Sequence, residues 1–384
     1  MNYIRKDFRL VYIFILAITP RVVIFNRFIT GKSLYTIILI VLFSWDILIS
    51  KKNKKIDYEI LLLLLTAGIS ISGLIIWGNV SLVEYLSSFF NYIMIMIIFN
   101  FTIRWIGNAS DDLLRENFKI ILILSIFICF IGILQFFGFI TIDSRSYIAG
   151  YKDNIDIGSM IRLTSIFDEP ASFSYFICLS YYISRYVLVN PKFTILFVFS
   201  LFLSLSMSAL VTIFLIEIVN MNKKTVIKSL IVISIFLFLS YFTVNEFKII
   251  IDLFYNRIAN GKFGEYRTVA PIKALVLFSE NIFTIFFGNG ISSLVDATTT
   301  FNLSESASTT HNIFVDIVFE LGLVGLFLYI FLTLSIIKNF KVLFTMGIFL
   351  MVGTGYRSGN FIILYALMLG SINIEKNKIE NSRI

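Results

Sequence analysis

FKIILILSIFICFIGILQFFGFI, residues 118 to 140, holds one charged side chain, Lys119, in 23 positions. A helix rises about 1.5 Å per residue, so a run of this length covers the roughly 30 Å of a hydrocarbon core. Comparable runs recur along the chain, at 8–25, 33–49, 58–77, 82–103, 168–187, 193–204, 207–220, 226–243, 313–337, 341–353 and 357–373. Together these predict an all-α integral membrane protein. One polytopic domain over 1–384 holds about 12 transmembrane helices and two long outer-side loops, 141–167 and 244–312. The runs at 193–204, 207–220 and 341–353 are short for a full crossing.

Composition agrees. Of 384 residues, 58% are hydrophobic and 15% charged, phenylalanine fills 42 positions and proline 4. Soluble domains sit nearer half apolar and a quarter charged. A water-soluble enzyme, a disordered chain and a disulfide-built secreted scaffold are all excluded. The net charge of +8 is spread between apolar runs and not gathered on one solvated face, so nucleic acid is not an expected partner. Cys129 and Cys178 lie inside apolar runs without ligand spacing, and the single histidine rules out a multi-histidine metal site; no metal is expected.

Charge distribution orients the spans. LSLSMSA, residues 203–209, places Ser204, Ser206 and Ser208 where a lipid-facing helix would not favour them, and splits 193–220 into a tight helical hairpin. With the N-terminus inside, cytoplasmic ends and loops hold 20 Lys and Arg and the opposite side 11, with Arg21 inside the first span left out. Both termini are therefore expected in the cytoplasm. Fusing the hairpin into one helix would move Lys223 and Lys224 outside. The basic start (Arg5, Lys6, Arg9) leads into an apolar run that meets Pro20-Arg21 and no small-residue cleavage site, which reads as an uncleaved first span. No Walker-type loop is present, so ATP-driven pumping is not expected of this chain.

Three stretches carry polar side chains suited to chemistry. RLTSIFDEP, 162–170, holds Arg162, Asp168 and Glu169 just before a helix-opening proline. The acids either favour the positive end of the helix dipole or face a polar substrate with Arg162. In the second loop Arg257 and Arg267 flank Gly261 and Gly264. They are either ordinary solvated charges or a grip on phosphate, which guanidinium holds through two parallel hydrogen bonds. FGNG, 287–290, reads as a turn that brings the chain back towards the membrane. His311 precedes Asn312, a natural helix cap, and is also suited to taking a proton from a sugar hydroxyl. Four-residue spacing sets Asn312, Asp316 and Glu320 on one helix face. Asp316 and Glu320 either line a substrate channel or pair with a buried cation such as Arg357. Gly355 and Gly359 read as helix-packing positions.

These stretches resemble the O-antigen polymerase and ligase superfamily of bacterial inner-membrane glycosyltransferases, and most of all a Wzy-type polymerase. RLTSIFDEP is similar to its first-loop motif, the Arg257–Arg267 stretch with FGNG to its long-loop segment, and HNIFVDIVFELGLVG, 311–325, to the His-Asn run entering a span. The similarity covers 162–326. Ser165 stands where glycine is commoner, and SMSAL lacks the arginine that often follows its serines. The acid-proline pair leans towards polymerases.

The resemblance implies transfer of a growing glycan from undecaprenyl pyrophosphate to a sugar hydroxyl at the outer leaflet, with no cofactor. Arg162, Arg257, Arg267 and Arg357 would bind the pyrophosphate, and His311 or, second, Glu169 would act as base. The implied partners are the undecaprenyl-pyrophosphate-linked oligosaccharide and membrane lipid, with room for a chain-length regulator. Two rivals stay open: an O-antigen ligase or oligosaccharyltransferase, and a flippase of lipid-linked oligosaccharide. A flippase should carry its charges deep along a central path, whereas here Arg162, Glu169, Arg257, Arg267 and His311 all fall on the outer side.

Overall fold

A computed structural model describes residues 7–18, 82–140, 156–157, 160–161, 163–167, 170–204, 206–220, 272, 274–276, 278–279, 281–291, 293, 312–352 and 359–381. The expected spans at 33–49, 58–77 and 226–243 lie outside the described residues. Within them the chain is helical: α1 Arg9–Ile18, α2 Leu82–Asn108, α3 Asp111–Phe136, α4 Pro170–Tyr182, α5 Pro191–Leu203, α6 Met207–Asn220, α7 Ile282–Phe287, α8 Ile313–Ile336, α9 Phe340–Val352 and α10 Gly359–Asn381. One antiparallel pair departs from the all-helical expectation: β1 Asp156–Ile157 against β2 Met160–Ile161, inside the first long loop.

Among the described residues, three helices are long and apolar enough to cross a membrane: Ser88–Asn108, Asp111–Phe136 and Ile313–Ile336. On α3, Ile121 and Ile128 are buried while Ile123, Phe127 and Phe130 are exposed, so beyond Lys119 the helix is apolar on its buried and exposed sides alike. A helix in water would turn polar groups outward; one in lipid has no reason to. The molecule is a helical membrane protein. The predicted split is present: α5 ends at Leu203, Ser204 caps it, and α6 starts at Met207. The short runs give short helices, with 13 residues in α5, 14 in α6 and 13 in α9.

Polar contacts define two ends of the bundle. At the amino-terminal end, Trp105 Nε1 donates to Asp7 Oδ2 at 3.1 Å and Asn117 Nδ2 to the Asp7 carbonyl at 2.8 Å. Asn373 Nδ2 reaches the Ile106 carbonyl there at 3.0 Å. A π turn, Ile183–Val187, extends α4 at the same end. Five residues apart, Tyr181 and Tyr186 both donate to Glu217 Oε1, with Arg185 3.7 Å from that oxygen. At the distal end, Gln135 from the close of α3, Ser174 from the start of α4 and Ser204 from the end of α5 come together with residues 163–165.

Small residues let the helices approach. A Cβ on Gly359 would lie 2.8 Å from Ala17 Cα, so α10 packs on α1 through backbone, as expected of Gly359; Gly355 lies outside the described residues. Ser125 and Ser180 join α3 to α4 at 2.6 Å, hydrogen bonding being an association force that lipid does not compete for. Helix α8 runs parallel to α10: Tyr329 meets Phe361 with ring centroids 5.7 Å apart, and one turn on Thr333 bonds Tyr365. The part of α8 below its break at Gly322 therefore starts towards the distal end, where α10 begins.

Candidate functional site at the distal end

Two of the three motif stretches are joined by backbone. Helix α8 opens at Asn312, whose side chain accepts from Phe314 N at 3.0 Å and Val315 N at 3.3 Å, the predicted cap. It then breaks at Gly322, with φ 70° and ψ −175°. A break inside a span takes from nearby carbonyls the N–H groups four residues on, and lipid offers no replacement. FGNG supplies one. Asn289 N donates to the Phe319 carbonyl and Gly290 N to the Glu320 carbonyl, each at 2.9 Å. Asn289 Nδ2 adds a bond to the Phe319 carbonyl at 3.3 Å.

Only glycine fits the junction. Gly288 repeats the φ 74°, ψ −175° geometry, in a region that side chains do not enter. A Cβ on Gly288 would overlap the Glu320 carbonyl, and one on Gly322 would overlap the Phe286 carbonyl. FGNG is thus the expected turn towards the membrane, and it ends as a clasp on the broken helix. The clasp sets the depth of the two acids. Asp316 and Glu320 follow Asn312 at four-residue spacing on the half-helix above the break, and both are buried, Glu320 fully. Asn289 is equally buried, and its Oδ1 has no hydrogen-bond partner among the described residues. Ionisable groups at such depth are costly and are retained for pairing or for a polar path.

The first motif stretch dips into the bundle. Leu163, Thr164, Ser165 and Phe167 are all buried. Ser165 N donates to Gln135 Oε1 at 2.8 Å and Ser165 Oγ to the Ile128 carbonyl at 2.7 Å, about two turns inside the end of α3. Gln135 also bonds Thr164 Oγ1, and Leu163 N donates to the Leu203 carbonyl at 3.4 Å. Gly132 makes the space: a Cβ there would stand 2.5 Å from Leu163 Cδ2 and 3.1 Å from Ser165 Cβ. Phe167 stacks on Phe176 at 5.3 Å. The described motif residues are therefore buried and hydrogen-bonded to the helices that flank them.

Ser165 adopts φ 56°, a left-handed conformation that favours glycine. The substitution noted from the sequence thus costs backbone strain, repaid by the hydroxyl bond to Ile128. Ser165→Ala keeps the strain and loses the bond, and is expected to destabilise by about 1 kcal/mol. Ser165→Gly loses both together, so its effect is smaller. Thermal unfolding of the detergent-purified protein checks the order; equal melting temperatures for the two variants would refute the compensation.

Of the residues singled out from the sequence, Asp316 and Glu320 are described and lie together. Arg162, Asp168, Glu169, Arg257, Arg267, His311 and Arg357 lie outside the described residues. In sequence, Arg162 and Asp168 directly adjoin the inserted 163–167 segment, and His311 adjoins the Asn312 cap. Gln135, Gly132, Asn289 and Gly322 were not anticipated. Gln135 alone offered a signal, as a polar side chain near the end of an otherwise apolar run. No protein-family model matches the chain, and no curated protein matches it.

Proposed function

We propose that this protein polymerises lipid-linked oligosaccharide repeat units at the outer face of the bacterial cytoplasmic membrane. It does so as a glycosyltransferase of about twelve spans with both termini in the cytoplasm. The oxygen of one unit's terminal sugar hydroxyl bonds to the anomeric carbon of the growing chain, the bond from that carbon to pyrophosphate breaks, and undecaprenyl pyrophosphate departs. The leaving group is already activated, so no cofactor is required. Arg162, Arg257, Arg267 and Arg357 stabilise the charge on the diphosphate, and His311 takes the hydroxyl proton, with Glu169 as the second choice. Asp316 and Glu320 line the approach of the polar substrate.

The observation that carries this function is the clasp. FGNG and HNIFVDIVFELGLVG, two of the three stretches behind the resemblance, are separate in sequence and form one backbone-bonded unit beneath Asn312. The third stretch enters the bundle at the same end.

Surface glycan from cells with and without the gene tests the function on a gel. Loss of a polymerase collapses the ladder to a single repeat on its acceptor. Polymer stranded on the lipid carrier, with no repeat attached to the acceptor, would favour a ligase instead. An unchanged ladder would remove both and favour transport.

A further inference from the structure

Residues 272–293 belong to the long loop, 244–312, that hydropathy leaves outside the membrane. Their described part is nevertheless built like a membrane element. Positions 272, 274–276 and 278 are helical, a turn follows, and α7 returns the chain to the clasp. One side packs on α8: Ala274 and Phe278 are buried against Val318 and Phe319, with Ile285, Val315, Leu323 and Leu326 around them. Among the described residues the other side is also apolar. Ile272 is 61% exposed and Phe283 59%, with Leu275, Val276, Ile282, Phe286 and Phe287 exposed beside them. A loop segment facing water would carry polar groups on that side.

The described polar groups at the turn, Ser279, Asn281 and Thr284, are satisfied from within. Ser279 N donates to the Leu275 and Val276 carbonyls, and Ser279 Oγ to Val276 as well. Asn281 Oδ1 caps Phe283 N at 2.9 Å. Thr284 Oγ1 donates to the Phe278 carbonyl at 2.9 Å, tying the two arms together. Beyond α7, Gly288, Asn289 and Gly290 all direct their N–H groups to carbonyls of the protein. Internal satisfaction of this kind is what an environment without water demands. The arms also lie along Val315–Leu326 of a helix long enough to cross the membrane, whose exposed apolar side continues through Phe327, Phe331 and Leu334.

We propose that residues 272–287 form a re-entrant helical hairpin seated in the bilayer at the boundary of headgroups and acyl chains, its outer face covered by lipid acyl chains. This rests on the protein's being a membrane protein and not on glycosyl transfer. If the proposed function also holds, the hairpin tethers the chain five residues after Arg267 to the surface where a lipid-linked diphosphate is presented.

Site-directed fluorescence on the full chain in lipid vesicles tests the hairpin. Ile272→Cys and Phe283→Cys are labelled with bimane, the native Cys129 and Cys178 being buried. Phe327→Cys, 66% exposed on α8, serves as the lipid-facing reference and Asn108→Cys, at the end of α2, as the aqueous one. Lipids brominated on their acyl chains should quench positions 272 and 283 to within about twofold of position 327, and iodide should quench them several-fold less than position 108. Iodide quenching equal to that at position 108 would put the hairpin in water. Protection from both quenchers would mean a protein surface covers it. Either result overturns the proposal, and neither bears on the glycan ladder.

Discussion

Cells carrying His311→Ala or Arg267→Ala are expected to make no polymer while holding normal amounts of the protein in the membrane. General-base catalysis contributes roughly 10²–10⁴ in rate, and loss of one preorganised donor to a developing anion costs on the order of 10²–10³. Either loss would reduce a ladder to its single-repeat band. Arg267→Lys keeps the charge but cannot form two parallel bonds to one phosphate, so it should recover only a minor part of the product. The measurement is a glycan gel of complemented deletion cells beside an immunoblot of tagged protein. A full ladder from either alanine variant would remove that residue from the chemistry. A missing protein band would instead assign it to folding.

Gly322→Ala and Gly288→Ala are expected to be the most damaging single-methyl changes among the described residues. Each forces a side chain into a backbone region that costs about 1–3 kcal/mol for anything but glycine. Each also drives a Cβ into a facing carbonyl, and backbone cannot rotate away as a side chain can. Relief requires parting FGNG from α8, which gives up the Asn289 and Gly290 bonds and leaves the buried Phe319 and Glu320 carbonyls without those partners. The combined loss is about 3 kcal/mol or more. Gly347→Ala is the control: it lies inside α9 with nothing within 4 Å of the added Cβ, and helix propensity alone makes it neutral or slightly stabilising. Thermal unfolding in detergent compares the three. A Gly322→Ala protein as stable as the control would refute the clasp.

Much of this architecture is legible along the chain, because lipid sorts residues by hydropathy one segment at a time. The membrane class, the runs that became α2, α3 and α8, and the break at LSLSMSA all follow from which side chains tolerate hydrocarbon. So do local signals that act within one turn: Asn312 as a cap, FGNG as a turn, and the common face of Asn312, Asp316 and Glu320.

Three features needed the third dimension. The clasp joins Gly288–Gly290 to Phe319–Gly322 mainly through main-chain atoms, and its glycines mark a tight turn without saying which segment that turn meets. The insertion of Leu163–Phe167 depends on a gap at Gly132 and an amide at Gln135, about thirty residues away. The segment 272–287 is too short and interrupted to register as a span, yet its described part packs on α8 with Ser279, Asn281 and Thr284 bonded within it. In each case the deciding quantity is whether buried backbone finds a partner. Hydropathy says where a segment can go; only the folded chain supplies the donor that lets a broken helix or a turn remain there.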